Sequence, residues 1–210
     1  MRLPQRNSAF ANLRRFVKQK ATVEHCELCK TEIAFEHQHL IDPVNRKLVC
    51  SCDACAILFS NQSASKYRRV PRRSLLLNNF QMTDSQWDSL MIPISMAFFF
   101  HSTPAGRVVA LYPSPAGATE SLLSLEAWED IVEQNASLKN MEPDVEGLLV
   151  NRVGYSRDHT SAEYYIAPID SCYKLVGLIR ARWHGLSGGS EVWADIKQFF
   201  AELKERSTVR

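Results

Sequence analysis

Apolar positions recur along this chain in two rhythms. In residues 8–20, SAFANLRRFVKQK, Phe10, Leu13, Phe16 and Val17 return at helical spacing while Arg14, Arg15 and Lys18 lie off that face, which predicts a short basic amphipathic helix. From Ser74 onward strand-like and helix-like patterns alternate. RSLLLNNF (73–80) predicts a strand, and Thr83 or Asp84 caps a short helix, SQWDSLMI. SMAFFFHS and RVVALY predict neighbouring strands around the turn TPAG, whereas PSPAGATES (113–121) is too rich in Pro, Gly and Ser for regular structure and reads as a loop. Ser124 then caps LEAWEDIVEQN, where Leu125, Trp128, Ile131 and Val132 keep helical spacing. EGLLVNRV and AEYYIAPI predict two more strands. Asp170 ahead of an apolar run of helical period favours a helix over DSCYKLVGLIRARW. After the turn GLSGG, the helix SEVWADIKQFFAELKERS closes the chain, with Val192, Ile196, Phe199, Phe200 and Leu203 as its buried stripe.

The segment between these patterns has a different character. HCELCKTEIAFEHQHLIDPVNRKLVCSCDAC, residues 25–55, holds five of the six cysteines and three of the six histidines. Its strand-like stretches IAFEHQHLID and RKLVCS flank the turn PVN, and CDACAILF begins a helix, so the predicted order is knuckle, hairpin, helix. A CxxC turn presents two thiolates to one ion because the short loop curls around it. Cys26/Cys29 and Cys52/Cys55 supply two such turns at the separation expected of a four-cysteine site, with Cys52 and Cys55 at the positive end of the helix. Zinc is the expected ion, with iron as the minor alternative. His37, His39 and Cys50 are candidates for additional ligands or supporting groups: His37 and His39 share one strand face, and Cys50 shares a face with Cys52 if the strand continues that far. This order of elements resembles the treble-clef zinc fingers.

Composition narrows the class. The chain has 210 residues, 45% hydrophobic and 23% charged, ordinary values for a globular protein. The longest greasy run, Leu90–Phe100, contains Pro93 and Ser95 and falls well short of the roughly 20 residues a membrane helix needs. The basic N-terminus lacks the apolar stretch of an export signal, so a cytoplasmic, reducing location is expected, where paired CxxC motifs bind metal rather than form disulfides. Charge is uneven. Residues 1–74 carry fourteen Lys/Arg against six Asp/Glu, and residues 75–210 eleven against seventeen.

That asymmetry raises nucleic acid as an alternative partner. Lys66, Arg68, Arg69, Arg72 and Arg73 form a basic arm behind the cysteine segment that suits an anionic partner. No base-reading helix accompanies it, and docking of the arm on the acidic C-terminal half is the simpler reading. EHQH between CxxC turns has a superficial similarity to HNH-type nucleases, with His37 or His39 as base and Asn61 as helix ligand, but the usual acidic-His pair is missing. The PSPAGATES stretch lacks a phosphate-loop pattern, and Ser114, Ser121, His101, His159 and His184 form no nucleophile elbow. The sequence thus offers one good metal site and no convincing active site.

The chain therefore divides into a basic amphipathic helix (1–22), a zinc-binding module (23–62), a basic linker (63–73) and an α/β domain (74–206), an α+β protein of mixed α/β character overall. CELC, EHQHLID, CSCDACAILF, AFFFHS, YPSPAGATES, APIDSCYKLVGLIR and GLSGGSEVWADIKQFFAEL together resemble, from about residue 23 to 205, a bacterial family catalogued as a domain of unknown function. Members of that family are often encoded beside uptake nickel-iron hydrogenases and their maturation genes. The resemblance implies a non-catalytic accessory or assembly role, with hydrogenase subunits or maturation factors as protein partners.

Overall fold

Leu148, Leu149 and Val150 are all fully buried on one strand. Consecutive strand residues point to opposite faces, so such a run survives only where both faces of a sheet are covered. The computed structural model, which describes residues 23–60, 65–121, 125–155, 162–185 and 188–210, shows that arrangement; the helix read at 8–20, Asn61 and the Ser124 cap lie outside those residues.

The strands are β1 (Glu24–His25), β2 (Glu32–Ile33), β3 (Gln38–Asp42), β4 (Lys47–Ser51), β5 (Arg68–Arg69), β6 (Leu75–Leu76), β7 (Met96–Ser102), β8 (Arg107–Ser114), β9 (Gly117–Glu120), β10 (Glu146–Asn151), β11 (Glu163–Pro168) and β12 (Thr208–Val209). The helices are α1 (Asp53–Ser60), α2 (Asp84–Ser89), α3 (Leu125–Gln134), α4 (Ile169–Arg182) and α5 (Gly189–Arg206), with a 3-10 turn at Ala136–Asn140. The protein is α+β. Its body is a seven-stranded sheet in the order β12-β6-β11-β10-β7-β8-β9, antiparallel except where β12 runs parallel beside β6.

On one face Phe98, Phe100, Leu149 and Tyr165 pack with Leu175 and Ile179 of α4 and with Ile196, Phe200 and Leu203 of α5. On the other, Ala97, Phe99, Leu148, Val150 and Ile166 meet Trp87 of α2, Trp128 and Ile131 of α3, and Leu138. The predicted stripe of α5 is buried at all five positions. Thr83 and Gln86 form a reciprocal capping box at α2, as its local sequence dictates.

One reading is corrected, and the helix predicted over 170–183 is present with its start one residue earlier. PSPAGATES is not a loop: β8 continues through Ser114, turns at Pro115–Ala116 and returns as β9. Pro113 is tolerated because β7 pairs with β8 only from Leu111 to Arg107, so no neighbour on that side asks for its missing N–H. Gly117 takes φ +122° to close the hairpin. Helix α4 begins at Ile169 with Pro168 as N-cap; Asp170 lies inside the first turn, which frees its carboxylate for a distant partner.

The N-terminal elements sit against this body. β3 and β4 form a hairpin to which β5, inside the stretch read as linker, adds as a third strand. The alternation of β3 divides its residues between two environments. Leu40 and Val49, cross-strand partners, pack against Ala56 of α1. Ile41, one position on, joins the core of the body with Val70 and Leu48. Asp42 holds the turn below them, accepting from the Val44 N–H at 3.1 Å and the Asn45 side chain at 2.9 Å.

Candidate metal centre

The first CxxC forms a knuckle between β1 and β2. The Cys26 N–H donates to the Thr31 carbonyl and the Lys30 N–H to the Cys26 carbonyl, both at 2.8 Å, and Lys30 adopts φ +65° to bring the chain back. The second CxxC sits where the β4 strand becomes α1: Cys52 directly precedes the helix, and the Cys55 N–H points at the Cys52 Sγ at 3.5 Å. Local sequence thus delivers the two pairs from opposite sides.

The four Sγ atoms of Cys26, Cys29, Cys52 and Cys55 lie within 4.8 Å of one another, and Cys29 and Cys52 are 3.7 Å apart. A disulfide needs about 2.05 Å. A tetrahedral zinc with bonds of about 2.3 Å sets its sulfurs roughly 3.8 Å apart, so the spacing fits four ligands to one ion. This cluster can bind a metal ion. Burial raises the Cys26 thiol pKa, but N–H donors from Cys29, Cys52 and Leu28 and the Cys29 thiol outweigh it and bring the value down to about 6. Burial first, and the neighbouring thiols second, push Cys55 up. A thiol lowered in this way can ligate a cation as thiolate near neutral pH.

His37, His39 and Cys50 do not crowd this cluster. They form a second group, with one ligand atom from each within 4.8 Å of the others. The strand register explains it. β4 ends at Ser51, so the parity linking Cys50 to Cys52 is broken as the chain enters α1, while Cys50 pairs across the hairpin with His39. His37 follows on the same face as His39, their rings 4.7 Å apart and edge-on. That face looks toward the body, where Asp170 of α4 accepts a hydrogen bond from His39 Nδ1 at 2.8 Å. His37 Nδ1 donates to the Ala34 carbonyl at 2.9 Å, with Glu24 Oε2 at 3.3 Å, and its buried Nε2 has no partner among the described residues. Burial, then the Glu27 and Glu24 carboxylates, raise the Cys50 thiol.

The basic arm turns inward in large part. Arg73 grips the fully buried Glu146 with two bonds, 2.6 and 3.0 Å, and reaches Glu142 at 3.1 Å. Arg68 lies 3.2 Å from Asp144, Arg69 donates to Gln38, and Lys66 stands 3.5 Å from Asp42. Arg72 is exposed. The arm thereby joins the hairpin to the acidic segment 142–146.

Asp170 is the residue that sequence reasoning missed. It lies 131 positions from His39, and its sequence surroundings signal only a helix start. Among the described residues two shallow clefts are evident. One, of about 340 Å³, is lined by residues including Phe80, Asn135 and Arg210; the other, of about 300 Å³, by Ser60, Arg68, Arg69, Glu142, Pro143 and Val145; neither lining includes a cysteine or histidine. No described helix is long and apolar enough to cross a membrane. Residues 25–207 match the model of a family described as Family of unknown function (DUF5947). No curated protein and no solved structure matches the chain.

Proposed function

The chain belongs to the DUF5947 family, whose function is unknown, and from the geometry of its own residues we propose that it is an accessory protein in which zinc bound by Cys26, Cys29, Cys52 and Cys55 braces a surface that docks a protein partner. The observation that carries this reading is the outer side of the braced helix. Ile57, Leu58 and Phe59 follow Cys55 and Ala56 in α1, and all three are exposed. Phe35, between β2 and β3, is 92% exposed. A short helix ordinarily turns its large apolar residues to the core. Here Cys55 and Ala56 supply the inner side, and the large residues stand outside on an element fixed at its first turn by thiolates. Several apolar side chains on one rigid element suit a protein contact better than a phosphate backbone.

The sequence resemblance supplies the partner class, nickel-iron hydrogenase subunits or maturation factors. The internal pairing of Arg68 and Arg73 weighs against nucleic acid as the ligand. The test is co-purification from a host carrying the hydrogenase genes, with wild type compared with Ile57→Glu/Leu58→Glu, and growth on hydrogen after deletion. The proposal expects hydrogenase components with the wild type, their loss in the double variant and a growth defect. Salt-sensitive DNA or RNA binding that survives the double variant, with normal growth, would replace this reading by that of a zinc-finger nucleic-acid-binding regulator.

A further inference from the structure

The histidine and cysteine group on the inner face of the hairpin is not explained by the four-cysteine site. Three observations bear on it. First, the hydrogen bonds fix both imidazole tautomers. A carbonyl oxygen only accepts, so the His37 Nδ1 facing Ala34 carries the proton; the Asp170 carboxylate requires the same of His39 Nδ1. In the neutral form each ring keeps its lone pair on Nε2. Second, His37 Nε2 is buried, in a side chain only 8% exposed, and has no hydrogen-bond partner among the described residues. A lone pair shut away from water without a donor is a cost that a native structure normally removes. Third, the group that shares the space is a thiol, Cys50, held opposite His39 by strand register.

The geometry points to a second metal site, in which His37 Nε2, His39 Nε2 and Cys50 Sγ bind a zinc-class divalent cation with one coordination position left open. Two imidazoles and a thiolate are the donors such an ion prefers. A tetrahedral ion with bonds of about 2.0–2.3 Å spaces its ligand atoms roughly 3.3–3.8 Å apart, and a ring nitrogen of each histidine and the Cys50 sulfur already lie within 4.8 Å of one another. The surroundings match. His39 is oriented by a carboxylate and His37 by a backbone carbonyl, the two supports that metal-bound histidines usually have. Glu24 and Glu27 add negative charge nearby: Glu24 reaches the His37 ring and Glu27 accepts from the Cys50 N–H at 3.0 Å. His39 and Asp170 keep 30% and 24% of their side chains exposed, which leaves a solvent side for an exchangeable fourth ligand. Four protein ligands close a staple; three leave a place for water or a substrate atom. The position between hairpin and α4 also means that the ion would bind the N-terminal module to the body.

The experiment is metal stoichiometry on the full chain after saturation with Zn²⁺ and removal of loose ions, repeated with Co²⁺ as spectroscopic probe. Two ions per chain are expected. Cys50→Ser, His37→Ala and His39→Ala should each bring the count to one, while the four-cysteine ion stays; that remaining ion separates failure here from failure of the four-cysteine reading. Cys50→Ser is close in shape to the native residue and carries the test if a histidine variant fails to fold. Asp170→Asn should weaken the second ion about 10–100-fold, and bound metal should protect Cys50 from alkylation. One ion in the wild type, a second ion that survives all three ligand variants, unchanged affinity in Asp170→Asn, or Cys50 alkylation indifferent to metal would each overturn the assignment.

Discussion

Replacing Cys29 by serine isolates the contribution of the four-cysteine site, because Cys29 is exposed and the change removes a ligand without opening a cavity. The knuckle it belongs to has little else to hold it. Strands β1 and β2 are two residues each, and Lys30 sits in left-handed backbone that disfavours a side chain. Helix α1 has eight residues, below the roughly 12–15 at which isolated helices become marginal in water. The apolar centre beneath is Leu40, Val49 and Ala56, whose two large members contribute roughly 3–6 kcal/mol between them. Ordering the ten backbone residues Glu24–Ile33 costs roughly 10–20 kcal/mol. A structural zinc at the proposed site would supply about 10–16 kcal/mol, comparable with the difference. Shared over four thiolates this is roughly 2.5–4 kcal/mol each, so Cys29→Ser should weaken the ion at this site by roughly 10²–10³-fold. Competition against a chromophoric chelator measures that loss. Hydrogen exchange should show residues 24–33 and 53–60 losing protection on chelation while β7, β10 and β11 keep theirs. Affinity within fivefold of wild type, or exchange in 24–33 indifferent to the chelator, would refute the reasoning.

Arg73→Ala leaves the buried Glu146 carboxylate without its cation, and should cost about 3 kcal/mol in urea unfolding, the low end for a broken buried pair because Arg73 is itself half exposed; a cost under about 0.5 kcal/mol would contradict the role given to it. The Asp42 carboxyl is held below its usual pKa chiefly by the Asn45 side chain, with the Asn45 and Val44 N–H groups and Lys66 adding to it against burial. A depressed carboxyl contributes stability that is complete above the ordinary carboxylate pKa and disappears as pH falls through the folded value, so Asp42→Asn should lower Tm at pH 7 and flatten its decline in acid. Cys172 is fully buried and its thiol pushed up by that burial, then by Asp170; Cys172→Ser should leave metal content unchanged, and alkylation of the native protein at pH 8 should spare this residue.

Sequence by itself determined what depends on near neighbours. The two CxxC turns, the hairpin between them, the Thr83 capping box and the α5 stripe are decided within a few residues by loop geometry, side-chain periodicity and hydrogen bonds to adjacent backbone. The alternation of apolar residues likewise announced a body of strands and helices. Tertiary structure decided the rest. That Cys50 leaves the four-cysteine cluster depends on where β4 stops pairing, one residue before Cys52, a boundary that no local pattern marks. That Pro113 lies within a strand depends on how far β7 extends beside it. The bonds from His39 to Asp170 and from Arg73 to Glu146 join positions 131 and 73 residues apart, where periodicity carries no information. Charge shows the same division: composition revealed a basic front and an acidic back, but only packing shows that Arg68 and Arg73 meet carboxylates of their own chain, because a long side chain in a fold takes whichever partner the strands bring within reach.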